Sequence, residues 1–135
     1  MAHKYMLIIG SGRLGSLLAN RYSTMGHSLV MIDTDPNAFE QLSSDFSGFT
    51  IEGDATELSV LEKAKISQAD AVLICTRNDN INLMVAQIAK DVFNVPIVMA
   101  RVFDPKREII YNQLNIRTIC PTILAADEFV KETGI

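Results

Sequence analysis

Short apolar runs alternate with segments of helical spacing along the whole chain. The runs are Tyr5–Ile9, Ser28–Ile32, Gly48–Ile51, Ala71–Cys75, Ile97–Ala100 and Arg117–Ile119. The intervening periodicity predicts helices near Leu14–Met25, Pro36–Ser43, Glu57–Ala64, Asn80–Phe93 and Pro105–Gln113, with a last one over Pro121–Glu132. The runs are apolar at consecutive rather than alternate positions, as in strands covered on both faces, so the sheet should be parallel. Six such strands with crossover helices predict a single α/β domain, a doubly wound parallel sheet with helices on both faces, over residues 1–135. The punctuation fits this register. Asp35-Pro36 and Asp104-Pro105 each place a capping acid before a proline at the first helical position. Cys120-Pro121 also puts a proline at a helix start, and Gly26 stands where the first helix needs a left-handed cap. No linker, repeat or low-complexity segment interrupts the pattern.

The first strand runs straight into Gly10-Ser-Gly-Arg-Leu-Gly15, a G-x-G-x-x-G between a strand and a helix. In that context the first glycine permits the tight turn, the second lets backbone approach a pyrophosphate, and the third lets helix pack on strand. The helix N-terminus then offers free N–H groups and a positive dipole end to phosphates. Asp33 ends the second strand, about where a carboxylate would hydrogen-bond ribose hydroxyls. The fold is therefore expected to be Rossmann-like, with an adenine-nucleotide site. The charge of Asp33 should repel a 2′-phosphate, which disfavours NADP.

In such a sheet, ligands sit beyond the carboxyl ends of the strands, at the switch point of strand order. Each of the first five strands ends there in polar residues. They give Gly10, Ser11, Gly12, Arg13, Leu14 and Gly15 at the first, Asp33 and Thr34 at the second, and Gly53, Asp54, Ala55 and Thr56 at the third. Thr76 and Arg77 follow the fourth strand and Arg101 ends the fifth. These form the candidate nucleotide-binding set. Several have a plainer alternative. Asp35 serves better as a helix cap than as a ligand contact. Asp54 and Thr56 either touch the adenosine or cap the third helix. Thr76 either faces the phosphate or ribose side or caps its own strand. Arg13 either forks onto phosphate oxygens or is a solvated first-turn residue. Arg101 either serves a ligand or interface or pairs with an acid such as Asp104. Asn78 and Asp79 are expected to start the fourth helix and nothing more, and His3 and His27 to stand singly, away from the crevice.

Composition narrows the function further. A chain of 135 residues, 48% hydrophobic, is long enough to bury a core without disulfide or metal staples. No apolar run approaches a membrane span, and the N-terminus reads as lacking a secretory leader. The expected location is cytoplasmic. The net charge is −4 and no basic stretch exceeds two residues, so no nucleic-acid partner is expected. Cys75 and Cys120 each end an apolar run without C-x-x-C spacing, which suits reduced buried thiols rather than a metal or redox site.

The pattern resembles the N-terminal nucleotide-binding domain of Trk/Ktr-type potassium-transport regulators, the RCK, KTN or TrkA-N domain. The resemblance rests on Ile8-Ile-Gly-Ser-Gly-Arg-Leu-Gly15, Met25-Gly-His-Ser-Leu-Val-Met-Ile-Asp33, Gly53-Asp-Ala-Thr56, Ala69-Asp-Ala-Val-Leu73 and Ala100-Arg101, in order over essentially the whole chain. It implies a regulatory site for NAD(H) or for AMP, ADP or ATP, with no catalytic residues. Gly10, Gly12 and Gly15 would form the phosphate loop, Asp33 would take the ribose, and Asp54–Thr56 would lie beside the adenosine. Thr76 and Arg101 would sit on the phosphate side. Arg13 matches a loop arginine of the Ktr-like branch, which leans towards a mononucleotide. The resemblance also implies homo-oligomers, dimers or rings of dimers, at the inner face of the membrane on a potassium-transporter subunit. Full regulators usually carry a second, C-terminal ligand-binding domain. Its absence up to Ile135 suggests a stand-alone subunit, a split partner of another polypeptide, or a fragment. The rival class is the cofactor-binding half of an NAD-dependent oxidoreductase. The Tyr-x-x-x-Lys pair of short-chain reductases is missing, because Ile9, Gly26 and Asn115 follow Tyr5, Tyr22 and Tyr111 at that spacing. A Walker-type phosphate loop is missing as well.

Overall fold

The computed structural model describes residues 2–135. Six strands, β1 (Tyr5–Ile9), β2 (Ser28–Asp33), β3 (Phe49–Glu52), β4 (Ala71–Ile74), β5 (Ile97–Arg101) and β6 (Arg117–Ile119), form one sheet in the order β3-β2-β1-β4-β5-β6. All five pairings are parallel. This is the expected Rossmann-like, doubly wound sheet, with its switch point between β1 and β4.

The central strands explain why continuous apolar runs predict this architecture. Alternate residues of β1, β2 and β4 enter two separate cores. Leu7, Ile9, Val30, Ile32, Val72 and Ile74 belong to one. Met6, Ile8, Leu29, Met31, Ala71 and Leu73 belong to the other. Helix α1 (Arg13–Thr24) covers the second core through Leu14, Leu18, Ala19 and Tyr22. Helices α2 (Leu58–Lys63), α3 (Asp79–Gln87) and α4 (Glu108–Gln113) cover the first through Leu61, Val85, Ala86 and Tyr111. The edge strands differ, for β3 and β6 keep mostly exposed side chains.

The helix ends follow the local chemistry. Asp35 and Asp104 cap short 3₁₀ turns, accepting from the N–H of Asn37 at 2.9 Å and of Lys106 at 3.0 Å. Gly26, at φ +91°, closes α1 in a Schellman arrangement, with N–H bonds from Gly26 to Ser23 O at 3.0 Å and from His27 to Tyr22 O at 3.2 Å.

Three expected helices are shorter or mixed. Pro36–Gln41 is a 3₁₀ turn with no fully buried residue, anchored by the half-buried Phe39 alone of its large apolar side chains, too little to hold a longer helix. The fourth helix starts at Asp79 and passes after Gln87 into a π-helical turn over Ile88–Val92. The fifth begins as a 3₁₀ turn at Pro105–Arg107. The last helix, α5 (Pro121–Thr133), buries none of its residues and leaves Leu124, Phe129 and Val130 55%, 73% and 64% exposed. Among the described residues no helix is long and apolar enough to cross a membrane.

Candidate functional site

A cleft of about 990 Å³ opens over the carboxyl ends of β1 to β5. The glycine loop forms its floor. Gly10 takes φ +96°, and a Cβ there would lie 2.9 Å from the backbone of Cys75 and Thr76, so only glycine lets β1 turn this close to β4. Gly15 is under greater constraint, because a Cβ would fall 1.8 Å from Gly10 O, where α1 packs on the loop. Gly12 has nothing within 4 Å of its Cβ position. Its φ and ψ are −75° and −161°, and it caps α1 without a side-chain bond. The first N–H groups of α1 thus have no partner within the helix and lie at the cleft.

Asp33 is fixed at the end of β2 by two main-chain donors. Ser11 N–H reaches one carboxylate oxygen at 2.8 Å and Asp35 N–H the other at 2.9 Å. A carboxylate has about four acceptor positions, so roughly two are left for a ligand. The loop is further tied to β2 by Gly10 N–H to Ile32 O at 2.8 Å, and β3 is tied to it by Gly53 N–H to Asp33 O at 3.0 Å. Ser11 itself is fully buried, and its hydroxyl bonds with that of Ser16 at 3.0 Å.

Of the sequence-derived set, Gly10, Gly12, Arg13, Leu14, Asp33, Thr34, Gly53, Asp54, Ala55, Thr76, Arg77 and Arg101 line the cleft. Ser11 and Gly15 stand behind the loop and shape it. Thr56 is turned away, with its hydroxyl and N–H donating to Asp54 Oδ1 at 2.7 and 2.9 Å. The Thr56 hydroxyl, and then its N–H, hold the Asp54 carboxyl below its usual range. Neither residue caps α2, whose N-cap position is Glu57. The charges are sorted along the cleft. Asp33, Asp35 and Asp54 stand over β2 and β3, whereas Arg13, Arg77 and Arg101 stand over β1, β4 and β5.

Two expectations for this region need correction. Arg101 makes no hydrogen bond or ion pair with Asp104, whose Oδ1 accepts from Lys106 N–H. Its guanidinium carbon lies 4.0 Å over the Phe103 ring, and its Nε is buried without a hydrogen-bond partner. Asp79 does more than open a helix. Its carboxylate is buried and accepts from Phe103 N–H at 2.8 Å and Asp104 N–H at 3.1 Å, pinning the segment after β5. Asn78 is the cap, accepting from Ile81 N–H at 3.0 Å. Sequence reasoning also passed over Asn82, a fully buried amide beside Thr76. No local signal marks it, since Asn78, Asn80 and Asn82 alternate along one segment and only the fold buries Asn82 among partners.

Phe103 and Gln41 are also part of the lining. Cys75 also reaches the cleft wall but stays 6% exposed, and burial pushes its thiol up to about 11 against the pull of Arg101. At pH 8 only about one thiol in a thousand is then thiolate. Cys75 is expected to escape iodoacetamide alkylation in the folded protein at that pH, as read by intact mass. Labelling as fast as in urea would contradict its burial. Both cysteines are free.

His3 and His27 lie at the opposite end of the sheet, as expected, but not singly. Their ring centroids are 6.5 Å apart, His3 Nδ1 bonds Gly26 O at 2.9 Å, and His27 Nδ1 accepts from Lys4 N–H at 3.1 Å. Among the described residues no cluster of histidine, cysteine and acidic side chains suits a metal.

The sequence matches the family profile of the TrkA-N domain over residues 6–121. The Trk system potassium uptake protein TrkA of Streptomyces coelicolor is 35% identical over 127 residues, covering 94% of this chain and 57% of the relative. The chain spans about half the length of the curated relatives it matches. Among solved structures, the TrkA-N domain of the inner membrane protein YbaL from Escherichia coli superposes with a TM-score of 0.83 at 18% identity, over 96% of both chains. The Shewanella denitrificans Kef CTD in its AMP-bound form superposes with a TM-score of 0.81 at 23% identity, over 96% of this chain and 79% of that one. At these identities the likeness establishes the fold.

Proposed function

We propose, for a chain that belongs to the TrkA-N domain family, that the cleft binds NAD(H) or an adenine nucleotide (AMP, ADP or ATP) and that the bound nucleotide regulates a potassium-uptake system. The observation that carries this is the sorting of charge on either side of the glycine loop. Carboxylates over β2 and β3 suit ribose hydroxyls and the adenosine end. Guanidinium groups and the unpartnered N–H groups of α1 suit phosphates. One adenosine phosphate would span both. The AMP-bound form of the Kef neighbour is consistent with this assignment.

The regulatory part of the proposal draws on the relatives named as potassium uptake proteins. A nucleotide shifts an assembly only by binding its two shapes unequally. The partners are then a second copy of the chain, a membrane potassium-transporter subunit, and a C-terminal ligand-binding domain on the same or a separate polypeptide. The bare apolar face of α5 fits such assembly. On this reading the chain acts in the cytoplasm beside the transporter, as a regulator rather than an enzyme, in line with relatives named as potassium uptake proteins.

Titration calorimetry with AMP, ATP and NADH tests the binding. Asp33→Ala should weaken it by about 1–3 kcal/mol, the worth of a charged hydrogen bond. Asp33→Asn keeps an acceptor for only one of the two main-chain N–H groups and sets an NH2 against the other, so a thermal melt of both variants separates ligand contact from loop support. Unchanged affinity in both variants would remove Asp33 from the site. NADH oxidation with a panel of carbonyl substrates should show no turnover, and sustained turnover would favour the oxidoreductase alternative.

A further inference from the structure

The ladder between β4 and β5 stops at the pair Ile74 and Ala100. Beyond it the two chains part, β5 staying with β6 through Arg101 and Ile119. This divergence opens the cleft, and it leaves Thr76 and Arg101 without the β4–β5 bonds that would hold them in register with each other. One side chain replaces those bonds. Asn82 Oδ1 accepts from both the N–H of Thr76, at 3.2 Å, and its hydroxyl. Asn82 Nδ2 donates to Thr76 O and to Arg101 O, each at 3.0 Å. All four hydrogen-bonding positions of the amide are used, and only this orientation of the amide satisfies them.

We infer that Asn82 is a positioning residue for the phosphate end of the cleft: its amide joins Thr76 to Arg101 where the β4–β5 ladder ends, and so aims the Arg101 guanidinium at a bound phosphate. The inference rests on the nucleotide reading above. Three further observations support it. Asp79, three residues earlier on the same face of α3, holds the N–H groups of Phe103 and Asp104. Phe103 lies under the guanidinium, 4.0 Å from its carbon. Arg101 Nε has no partner, so the group is placed by its backbone and by stacking rather than by an acid. A cation held in this way keeps its donors for a ligand, and its aim depends on where the Arg101 backbone stands.

The test separates a positioning role from a merely structural one by comparing ligands with and without phosphate. Calorimetry would measure adenosine, AMP and ATP on the parent, Asn82→Ala, Arg101→Ala and the double variant. Asn82→Ala should lower AMP and ATP affinity by about tenfold or more, as for a charged hydrogen bond put out of reach, while adenosine affinity stays within about twofold. In the Arg101→Ala background the same change should add nothing, because the two act through one group. Equal losses for adenosine and AMP, unchanged AMP affinity, or additive losses in the cycle would each overturn the assignment. Should Asn82→Ala fail to fold, Asn82→Ser is measured instead against the same criteria. A parent chain that binds none of adenosine, AMP, ADP, ATP and NADH would sink the nucleotide reading itself. A parent that binds AMP more tightly than adenosine, beside an Asn82 variant with parent-like AMP affinity, would sink only the role of Asn82.

Discussion

Gly12→Val is expected to lower AMP and NADH affinity by at least about a hundredfold, roughly 2.7 kcal/mol, while leaving the melting temperature nearly unchanged. The backbone of Gly12 is extended, at φ −75° and ψ −161°, near the edge of the β region and outside the left-handed region that demands glycine. Apart from its chain neighbours, nothing lies within 4 Å of its Cβ position, so the new side chain starts into open space. It enters the cleft that Gly12 lines, beside the first N–H groups of α1. A phosphate seeking those N–H groups would meet two methyl groups. Calorimetry and a thermal melt on the same preparation would check both halves of this expectation. Parent-like affinity would mean that no phosphate comes up against the loop.

Gly15→Ala should fail in the opposite way, through the fold. A Cβ at this position falls 1.8 Å from Gly10 O and 3.0 Å from Gly10 C, and both atoms are backbone. No side chain can swing aside to relieve the overlap, so α1 must lift from β1 or the loop must shift. Either movement loosens the buried contacts of Ser16 and Ala19 against the loop and sheet. Overpacking of this severity costs about 3 kcal/mol or more. For a domain of this size that lowers the melting temperature by about 10 °C. Nucleotide binding should fall as a consequence of the displaced loop. A parent-like melt would show that the close approach of helix and turn is not needed. Two glycines of one motif, three residues apart, thus separate ligand access from packing.

The glycine turn, the aspartate at the end of β2 and the capping acids before Pro36 and Pro105 were legible because each depends on residues close together in the chain. The same holds for the inner strands β1, β2 and β4, whose continuous apolar runs reflect cover on both faces. The helix lengths were less legible. Pro36–Gln41 has a helical start signal but no fully buried residue, and a start signal alone does not sustain a helix. The clamp residues were not legible at all. Asp79 meets its partners 24 and 25 residues away, and Asn82 meets Arg101 19 residues away. Nothing in the local spacing distinguishes a buried aspartate that grips a distant loop from an ordinary first-turn acid. His3 and His27 come together in the same way, across two neighbouring strand starts.

By its own local order, the chain determined the parallel sheet, the phosphate-type loop and the placing of acids and arginines at successive strand ends. These follow from hydrophobic period, backbone freedom at glycine and fixed φ at proline, which act over a few residues. Only the tertiary structure decided that the acids gather over β2 and β3 and the arginines over β1, β4 and β5, because that sorting depends on strand order rather than on sequence order. It also decided that Arg101 rests on Phe103 instead of on an acid, and that Asn82 stands in for the missing rungs between β4 and β5. The physical reason is that a buried polar group takes whichever partner folding brings within reach, and its neighbours in sequence do not specify that partner.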